Sequence, residues 1–243
     1  MASLDTSRRP ILDTASYWTM MEVMVSQSQT LWACVFKRWF DFAGSLILLV
    51  VVSPVLLMAG LLVKLTSAGP ILFTQDRAGR NGQPFRVLKL RTMRGSRKPD
   101  PKELVPLDHP EITGVGRVFR RLKIDELPQL VNVLKGDMSL VGPRPTLLDQ
   151  AEAYDAFRRN RLRLRPGATG LAQVNCSAQV SWDERILYDV AYVSRCSFWL
   201  DAAIFFRTVF VLVLGEQRMT RSFSKTRYAR WIEIPEDYFD SVD

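Results

Sequence analysis

The run from Phe42 to Val63 carries no ionisable side chain, and this limits the architectures open to the chain more than any other feature. A helix needs about 20 predominantly apolar residues to cross the hydrocarbon core of a bilayer, and that length is available here. A soluble protein can hide such a segment only as a central helix that is apolar on every side. The flanking Lys37, Arg38 and Lys64 favour the membrane, because cationic side chains at the two ends of an apolar helix act as headgroup anchors. Ser53-Pro54 falls near the middle of the run. Proline lacks the amide proton that would bond the carbonyl four residues back, and its ring crowds that turn, so a kink is expected. A kinked helix with basic residues at both ends predicts a re-entrant element that enters and leaves by one face, with a spanning helix as the alternative.

Around this element the fold class is α+β, mostly helical with a small β-hairpin and interfacial amphipathic helices. Residues 1–36 form an N-terminal extension without the ordered basic start, apolar centre and small-residue cleavage site of an export signal. In it Tyr17, Met21, Met24, Leu31 and Val35 share one helical face, as in an amphipathic helix on the membrane or against the main domain. Residues 37–68 form the re-entrant helix and residues 69–194 a soluble-type domain. Within that domain two short strands, near Ile71–Gln75 and Phe85–Leu90, flank a Gly/Asn turn. The basic, proline-bearing stretch Arg94–Pro110 predicts a surface loop. Helices are expected over Val115–Lys123, Leu127–Lys135 and Leu147–Arg163, the second closed by Gly136, followed by an extended piece at Leu171–Asn175. Residues 195–243 hold the apolar run "SFWLDAAIFFRTVFVLVLG" and a tail. Asp201 and Arg207 interrupt that run, which predicts a helix lying in the membrane interface.

Chemistry is constrained by what is scarce. The single histidine, His109, removes most histidine-based zinc, triad and general-base schemes, so acid-base or metal chemistry falls to carboxylates. Cys34, Cys176 and Cys196 form no CxxC pair and read as reduced thiols facing a cytosol. Lys and Arg number 33 against 25 Asp and Glu, for a net charge of +8, so the partner is anionic: a phosphorylated metabolite, an anionic lipid or a nucleic acid. In this basic chain Asp125 and Glu126 stand together just before Pro128, which fits the first turn of a helix. The positive end of a helix stabilises carboxylates, so capping is the simplest reading of the pair. The surroundings favour another. Arg117, Arg120, Arg121 and Lys123 precede the pair, Lys89 and Arg91 end a strand, and Arg144 sits in a Gly-Pro-rich loop. Cations converging on two carboxylates suit a phosphate substrate and a hard divalent ion, since Mg²⁺ is typically held by one or two carboxylates plus substrate phosphates.

The motifs "KRWFDFAGSLILLVVVSPVLLM", "GPILFTQDRAGRNGQPFRVLKLRTM", "DELPQLVNVLKGDMSLVGPRP", "RPGATGLAQVN", "LYDVAYV" and "SFWLDAAIFFRT" follow one another over residues 37–215. In this order they resemble the bacterial monotopic phosphoglycosyl transferases, in a small single-anchor form. The resemblance implies transfer of a sugar 1-phosphate from a UDP-sugar to a polyprenyl (undecaprenyl) phosphate, with Mg²⁺ (Mn²⁺ as a substitute) and release of UMP. It implies a catalytic domain on the cytoplasmic face of the bacterial inner membrane, at the first membrane step of exopolysaccharide, capsule or other surface glycan synthesis, with downstream glycosyltransferases as further partners and no nucleic acid. Asp125 takes the place of the nucleophile and Glu126 its dyad partner, the two also being the expected metal ligands. Arg120 and Arg144 are expected on phosphate, Lys89, Arg91 and Asp189 near substrate, and Ser53-Pro54 at the bend of the membrane helix. Lys123 stands where the family commonly has serine, and Cys176-Ser177 where Gly-Arg is expected. The competing reading is a basic membrane-associated module that binds anionic lipid or nucleic acid and uses Asp125-Glu126 only as a cap.

Overall fold

The computed structural model describes residue 32 and residues 36–94, 108–177, 180–214, 220–235 and 238–239. The stripe from Tyr17 to Val35 and most of the Arg94–Pro110 loop lie outside them. Helix α1 spans Lys37–Thr66 and runs on through Pro54. Among the described residues it is the one helix long and apolar enough to cross a membrane. Its apolar side chains point outward: Val50 and Val51 are each 67% exposed and Leu57 77%. In water such a surface would cost about 25 cal/mol per Å² of apolar area, so lipid is the solvent that suits it. Ser53 explains itself here. Pro54 deprives the Val50 carbonyl of its backbone donor, and the Ser53 hydroxyl donates to that same oxygen at 2.8 Å. A backbone carbonyl that water cannot reach thereby keeps a partner.

The foot of α1 differs from expectation. Lys37 and Arg38, predicted as headgroup anchors, are spent on protein instead. Lys37 is buried and its Nζ lies 2.5 Å from Asp201 Oδ2. Asp201 also accepts from Trp32 Nε1 at 2.9 Å and from the Tyr192 hydroxyl at 2.6 Å. Arg38 donates to the Val133 and Leu134 carbonyls at 2.7 and 2.8 Å. One turn on, Asp41 accepts the Leu140 amide at 3.0 Å. One face of the first turns of α1, with Lys37, Asp41 and Ser45, is therefore packed into the domain, and of the three flanking cations only Lys64, at the far end, is exposed. The charge that interrupts the last apolar run, Asp201, is a counterion to Lys37 and not a solvent-facing group.

After α1 come β1 (Leu72–Ala78) and β2 (Pro84–Leu90), an antiparallel hairpin with Leu72 opposite Leu90 and Ala78 opposite Pro84. Helix α2 (Gly114–Arg121) is capped by the Thr113 side chain, which accepts the Gly116 amide. A 3-10 turn at Ile124–Glu126 leads into α3 (Gln129–Lys135), which Gly136 ends with φ 98. Strand β3 (Ser139–Val141) pairs in parallel with β4 (Gly167–Thr169). The helix expected over Leu147–Arg163 is broken into α4 (Leu148–Glu152), α5 (Ala156–Arg159) and a 3-10 turn at Asn160–Arg163. Asp155 makes the break, because its carboxylate accepts the Arg158 amide and starts a new helix. The extended piece expected at Leu171–Asn175 is instead helix α6 (Leu171–Asn175). So short an apolar run does not reveal its period, and the extended segment lies just before it in β4.

Helix α7 (Trp182–Ser194) occupies the centre of the domain, with Tyr188, Val190, Ala191 and Tyr192 fully buried. Helix α8 (Phe198–Leu214) carries exposed Trp199, Phe206, Val209 and Phe210, and its Asp201 end is sewn to α1. The last segment docks on α7: the Phe223 and Tyr188 rings meet edge to face at 4.9 Å, and the Tyr238 hydroxyl donates to the Asp183 carbonyl at 2.9 Å. The glycines of "GPRP" and "RPGATG" follow from one close approach. A Cβ on Gly142 would lie 2.5 Å from the Arg165 carbonyl, and one on Gly167 would run into the Gly142 amide. Gly142 N donates to Thr169 O at 2.9 Å and Gly167 N to Pro143 O at 2.8 Å, which fixes the backbone on either side of Arg144.

Candidate active site

Lys123 adopts the left-handed conformation, φ 57, and turns the chain sharply out of α2 into the short Ile124–Glu126 turn. Neither carboxylate caps a helix, since no side chain bonds the N-terminus of that turn or of α3. Asp125 is 8% exposed, and its Oδ1 is buried without a hydrogen-bond partner. Burial, and next the charge of Glu126, push its carboxyl up to about 6, against the pull of Lys89, Lys123 and Arg120. Glu126 behaves in the opposite way. Burial alone would raise it, but Lys89, then Arg144 and Lys123, hold it well below the usual carboxylate range. Its Oε1 accepts from Lys89 Nζ at 2.8 Å and from Arg144 Nη2 at 3.3 Å. Two adjacent carboxyls thus differ in kind: Glu126 is a fixed anion with its partners in place, and Asp125 has a free buried oxygen.

The expected cations fall into three positions. Arg120, at the end of α2, is held through Nε to Thr92 Oγ1 at 2.9 Å and acts on Asp125. Lys89 and Arg144 meet at Glu126. Arg91, expected beside them, lies beyond the end of β2 and turns to α1, where Nη1 donates to Ala68 O at 2.7 Å and Nη2 to Ser67 O at 2.7 Å. Asp189 was expected to face substrate. It is 1% exposed and sits behind the site, 2.5 Å from Arg161 Nη2. The same Arg161 nitrogen donates to the Arg144 carbonyl at 2.8 Å, so the buried pair buttresses the loop that carries Arg144. Arg161 also donates to the Tyr154 hydroxyl at 2.6 Å and lies over the Trp182 ring at 5.3 Å.

Three polar side chains that motif reading passed over line the same cleft as Lys89, Glu126 and Arg144, namely Arg77, Gln129 and Gln173. Arg77 donates to Gln75 Oε1 at 2.8 Å, with Pro145 O at 3.5 Å. Among the described residues no carboxylate lies within ion-pairing distance of it. Burial, and next the neighbouring Arg144 charge, draw its guanidinium down to about 10, with Glu126 opposing. A period-two reading of the hairpin finds it: Phe73 faces Lys89 and Gln75 faces Val87, so Arg77, opposite Phe85, shares a sheet face with Lys89. Gln173 Nε2 donates to Ala168 O at 3.1 Å and braces β4. Among the described residues no group of three or more His, Cys, Asp or Glu gathers.

Cations crowding two buried carboxylates, in a chain that also carries a helix dressed for lipid, suit an enzyme that moves phosphoryl groups at a membrane. Residues 32–215 match the family described as bacterial sugar transferase, and the chain belongs to that family. It is a transferase of the phosphoglycosyl transferase type. The chain is 42% identical over 182 residues to the uncharacterized sugar transferase EpsL of Bacillus subtilis, covering 75% of this chain and 89% of that one. It is 40% identical over 188 residues to the exopolysaccharide production protein ExoY of Sinorhizobium fredii, covering 71% of this chain and 83% of that protein. It is also 40% identical over 184 residues to the UDP-glucose:undecaprenyl-phosphate glucose-1-phosphate transferase of Klebsiella pneumoniae, covering 72% of this chain but only 40% of that protein.

Proposed function

We propose that the protein transfers a sugar 1-phosphate from a UDP-sugar to undecaprenyl phosphate through a covalent phosphosugar on Asp125, releasing UMP. The observation that carries this reading is the uncapped, buried Asp125 with its unpartnered Oδ1, beside a Glu126 already neutralised by Lys89 and Arg144. In the first step an Asp125 oxygen forms a bond to the sugar-bearing phosphorus while the bond from that phosphorus to the bridging oxygen breaks. Its electron pair leaves with UMP. In the second step the acceptor phosphate oxygen attacks the same phosphorus and frees the aspartate, so one hard displacement becomes two easier ones. Both steps bring anion to anion, and Arg120, Lys89 and Arg144 lower the cost by offsetting charge on the phosphoryl oxygens. The names of the Klebsiella relative and of a UDP-N-acetylgalactosamine-undecaprenyl-phosphate transferase from Aeromonas hydrophila support the donor and acceptor classes. The ExoY relatives support a place in exopolysaccharide synthesis, where glycosyltransferases would extend the lipid-linked sugar.

Mg²⁺ fits this donor set. The unpartnered Asp125 oxygen belongs to the carboxylate adjacent in sequence to Glu126, which lines the cleft with Lys89 and Arg144, and hard oxygen ligands are what that ion takes. Asp125 and Glu126 would hold it together with substrate phosphate, and when bound it would supply further charge neutralisation at the phosphoryl oxygens. The test is a panel of UDP-sugars with undecaprenyl phosphate and a readout of released UMP. One sugar should be turned over, and chelation should reduce turnover at least 100-fold, with Mg²⁺ or Mn²⁺ restoring it. Full turnover in chelator would remove the metal, and no UMP from any donor would remove the reaction.

The same reading places α1 as a re-entrant helix bent at Pro54, with the domain on the cytoplasmic face of the inner membrane. The Ser53 hydroxyl on the Val50 carbonyl supports it, because that bond lets the helix open at proline without orphaning a carbonyl in lipid. Single cysteines near Arg8 and at Asp76, in a background lacking the native cysteines, should be equally shielded from an impermeant thiol reagent in intact cells. Labelling of the N-terminal one alone would show a spanning helix.

A further inference from the structure

Arg77, Lys89, Glu126 and Arg144 line one basic trough, in which Glu126 accepts from Lys89 at 2.8 Å and from Arg144 at 3.3 Å. Around Arg77 charge is out of balance. Glu126 already serves Lys89 and Arg144, while Arg77 touches only the neutral oxygens of Gln75 and Pro145. The neighbouring acid Asp76 pairs with Arg86 at 3.6 Å on the exposed side of the hairpin. Two guanidiniums held near each other with one shared carboxylate are costly to maintain without an anion between them.

They are also held rigidly. Ala78 N donates to Thr146 O at 2.9 Å, which ties the end of β1 to the loop that carries Arg144. Arg161 grips the Arg144 carbonyl from behind. The stretches of backbone that carry the two cations cannot separate without breaking these bonds.

We propose that Arg77, with Arg144, binds the departing phosphate of the nucleotide, so that the donor diphosphate lies along the trough with its sugar-bearing phosphorus at Asp125. This rests on Asp125 being the nucleophile. In an in-line displacement the leaving oxygen sits opposite the attacking one, so the donor would present it to the part of the cleft that Arg77 and Arg144 line. As the bond to the bridging oxygen breaks, its electron pair turns the leaving phosphate from an ester-anhydride into a monoester and adds negative charge there. Arg77 is the cation with capacity for that charge, and planar bidentate contact to phosphate is what a guanidinium does best. Arg120, at the end of α2, would serve the phosphorus that Asp125 attacks.

The experiment compares the full-length wild-type protein with Arg77→Gln and Arg77→Lys in detergent, using UMP as the probe for direct binding by calorimetry and labelled UDP-sugar for the two half-reactions. Arg77→Gln should weaken UMP binding at least tenfold and slow UMP release from UDP-sugar at least 100-fold, with Arg77→Lys between it and wild type. Once the enzyme is loaded with labelled sugar phosphate, discharge by undecaprenyl phosphate should slow by less than threefold, because the leaving nucleotide is then gone. Unchanged UMP affinity in Arg77→Gln, or equal slowing of both half-reactions, would overturn the assignment. If Arg77→Gln does not fold, judged by its melting curve, Arg77→Lys decides on the same UMP measurement. A wild-type enzyme that binds UMP yet never retains labelled sugar phosphate would sink the covalent mechanism, and the UMP affinities of the variants would then decide the role of Arg77 by themselves.

Discussion

Asp125→Asn should abolish sugar-phosphate transfer, by at least 10⁴-fold, on the order expected when a covalent nucleophile is removed. Asparagine is about as good a helix cap as aspartate, so a structural role would leave turnover nearly intact. Its amide has no anionic oxygen with which to reach phosphorus. Wild-type enzyme given labelled UDP-sugar without acceptor should release up to one UMP per site and keep the label, and undecaprenyl phosphate should then discharge it. Asp125→Asn should do neither, with a melting temperature no lower than that of the wild type. The buried oxygen without a partner even points to a gain in stability, because the neutral amide relieves a carboxyl that burial and Glu126 make costly to ionise. A folded Asp125→Asn protein that turned over normally, or label found on another side chain, would end the assignment.

Asp189→Asn should produce the largest loss of stability. Arg161 and Asp189 are each about 1% exposed at the side chain, and removing one member of a buried pair strands the other, at a cost of about 3–5 kcal/mol. Denaturant unfolding in detergent reads this directly, and a change below about 1 kcal/mol would show that Tyr154 and the ring of Trp182 suffice to hold Arg161. The double substitution Arg161→Met with Asp189→Leu should recover much of the stability, since well-packed apolar replacements of buried pairs are often neutral. It should not recover activity, because the Arg144 carbonyl would still lack its donor. Stability and catalysis separate in that variant only if the pair acts by positioning the Arg144 loop.

Arg161 illustrates what the sequence hides. Nothing in "RNRLRLRPG" distinguishes it from Arg159 or Arg163, yet the 3-10 turn at Asn160–Arg163 points this one residue into the core behind the site. Asp125, Glu126, Lys89, Arg120 and Arg144 draw notice in the sequence because carboxylates and cations cluster around a helix start in a chain with a single histidine. Asp189 stands in a motif too, but a motif does not tell which layer of the fold a residue occupies. Arg77 needed the register of the hairpin, which motif order does not contain. The central helices were harder than the hairpin for a physical reason. Strands alternate over short distances, whereas Asp155 ends one helix and begins another without disturbing the apolar pattern around it. The left-handed Lys123, which sets the angle of the dyad turn, leaves no signature in a residue type that rarely adopts that conformation.

The ion pair of Lys37 with Asp201, and the grip of Arg38 on the end of α3, bear on how the enzyme can be handled. Anchor and catalyst share a foundation. Cutting the chain after Thr66 to obtain a water-soluble fragment would leave a buried aspartate without its counterion and two helix carbonyls without donors, so such a fragment should misfold and not merely lose its address. Grafting the domain onto a foreign anchor meets the same obstacle. The distance from the trough to the first turn of α1 is a fixed dimension of the molecule, set by these bonds and not by a flexible linker.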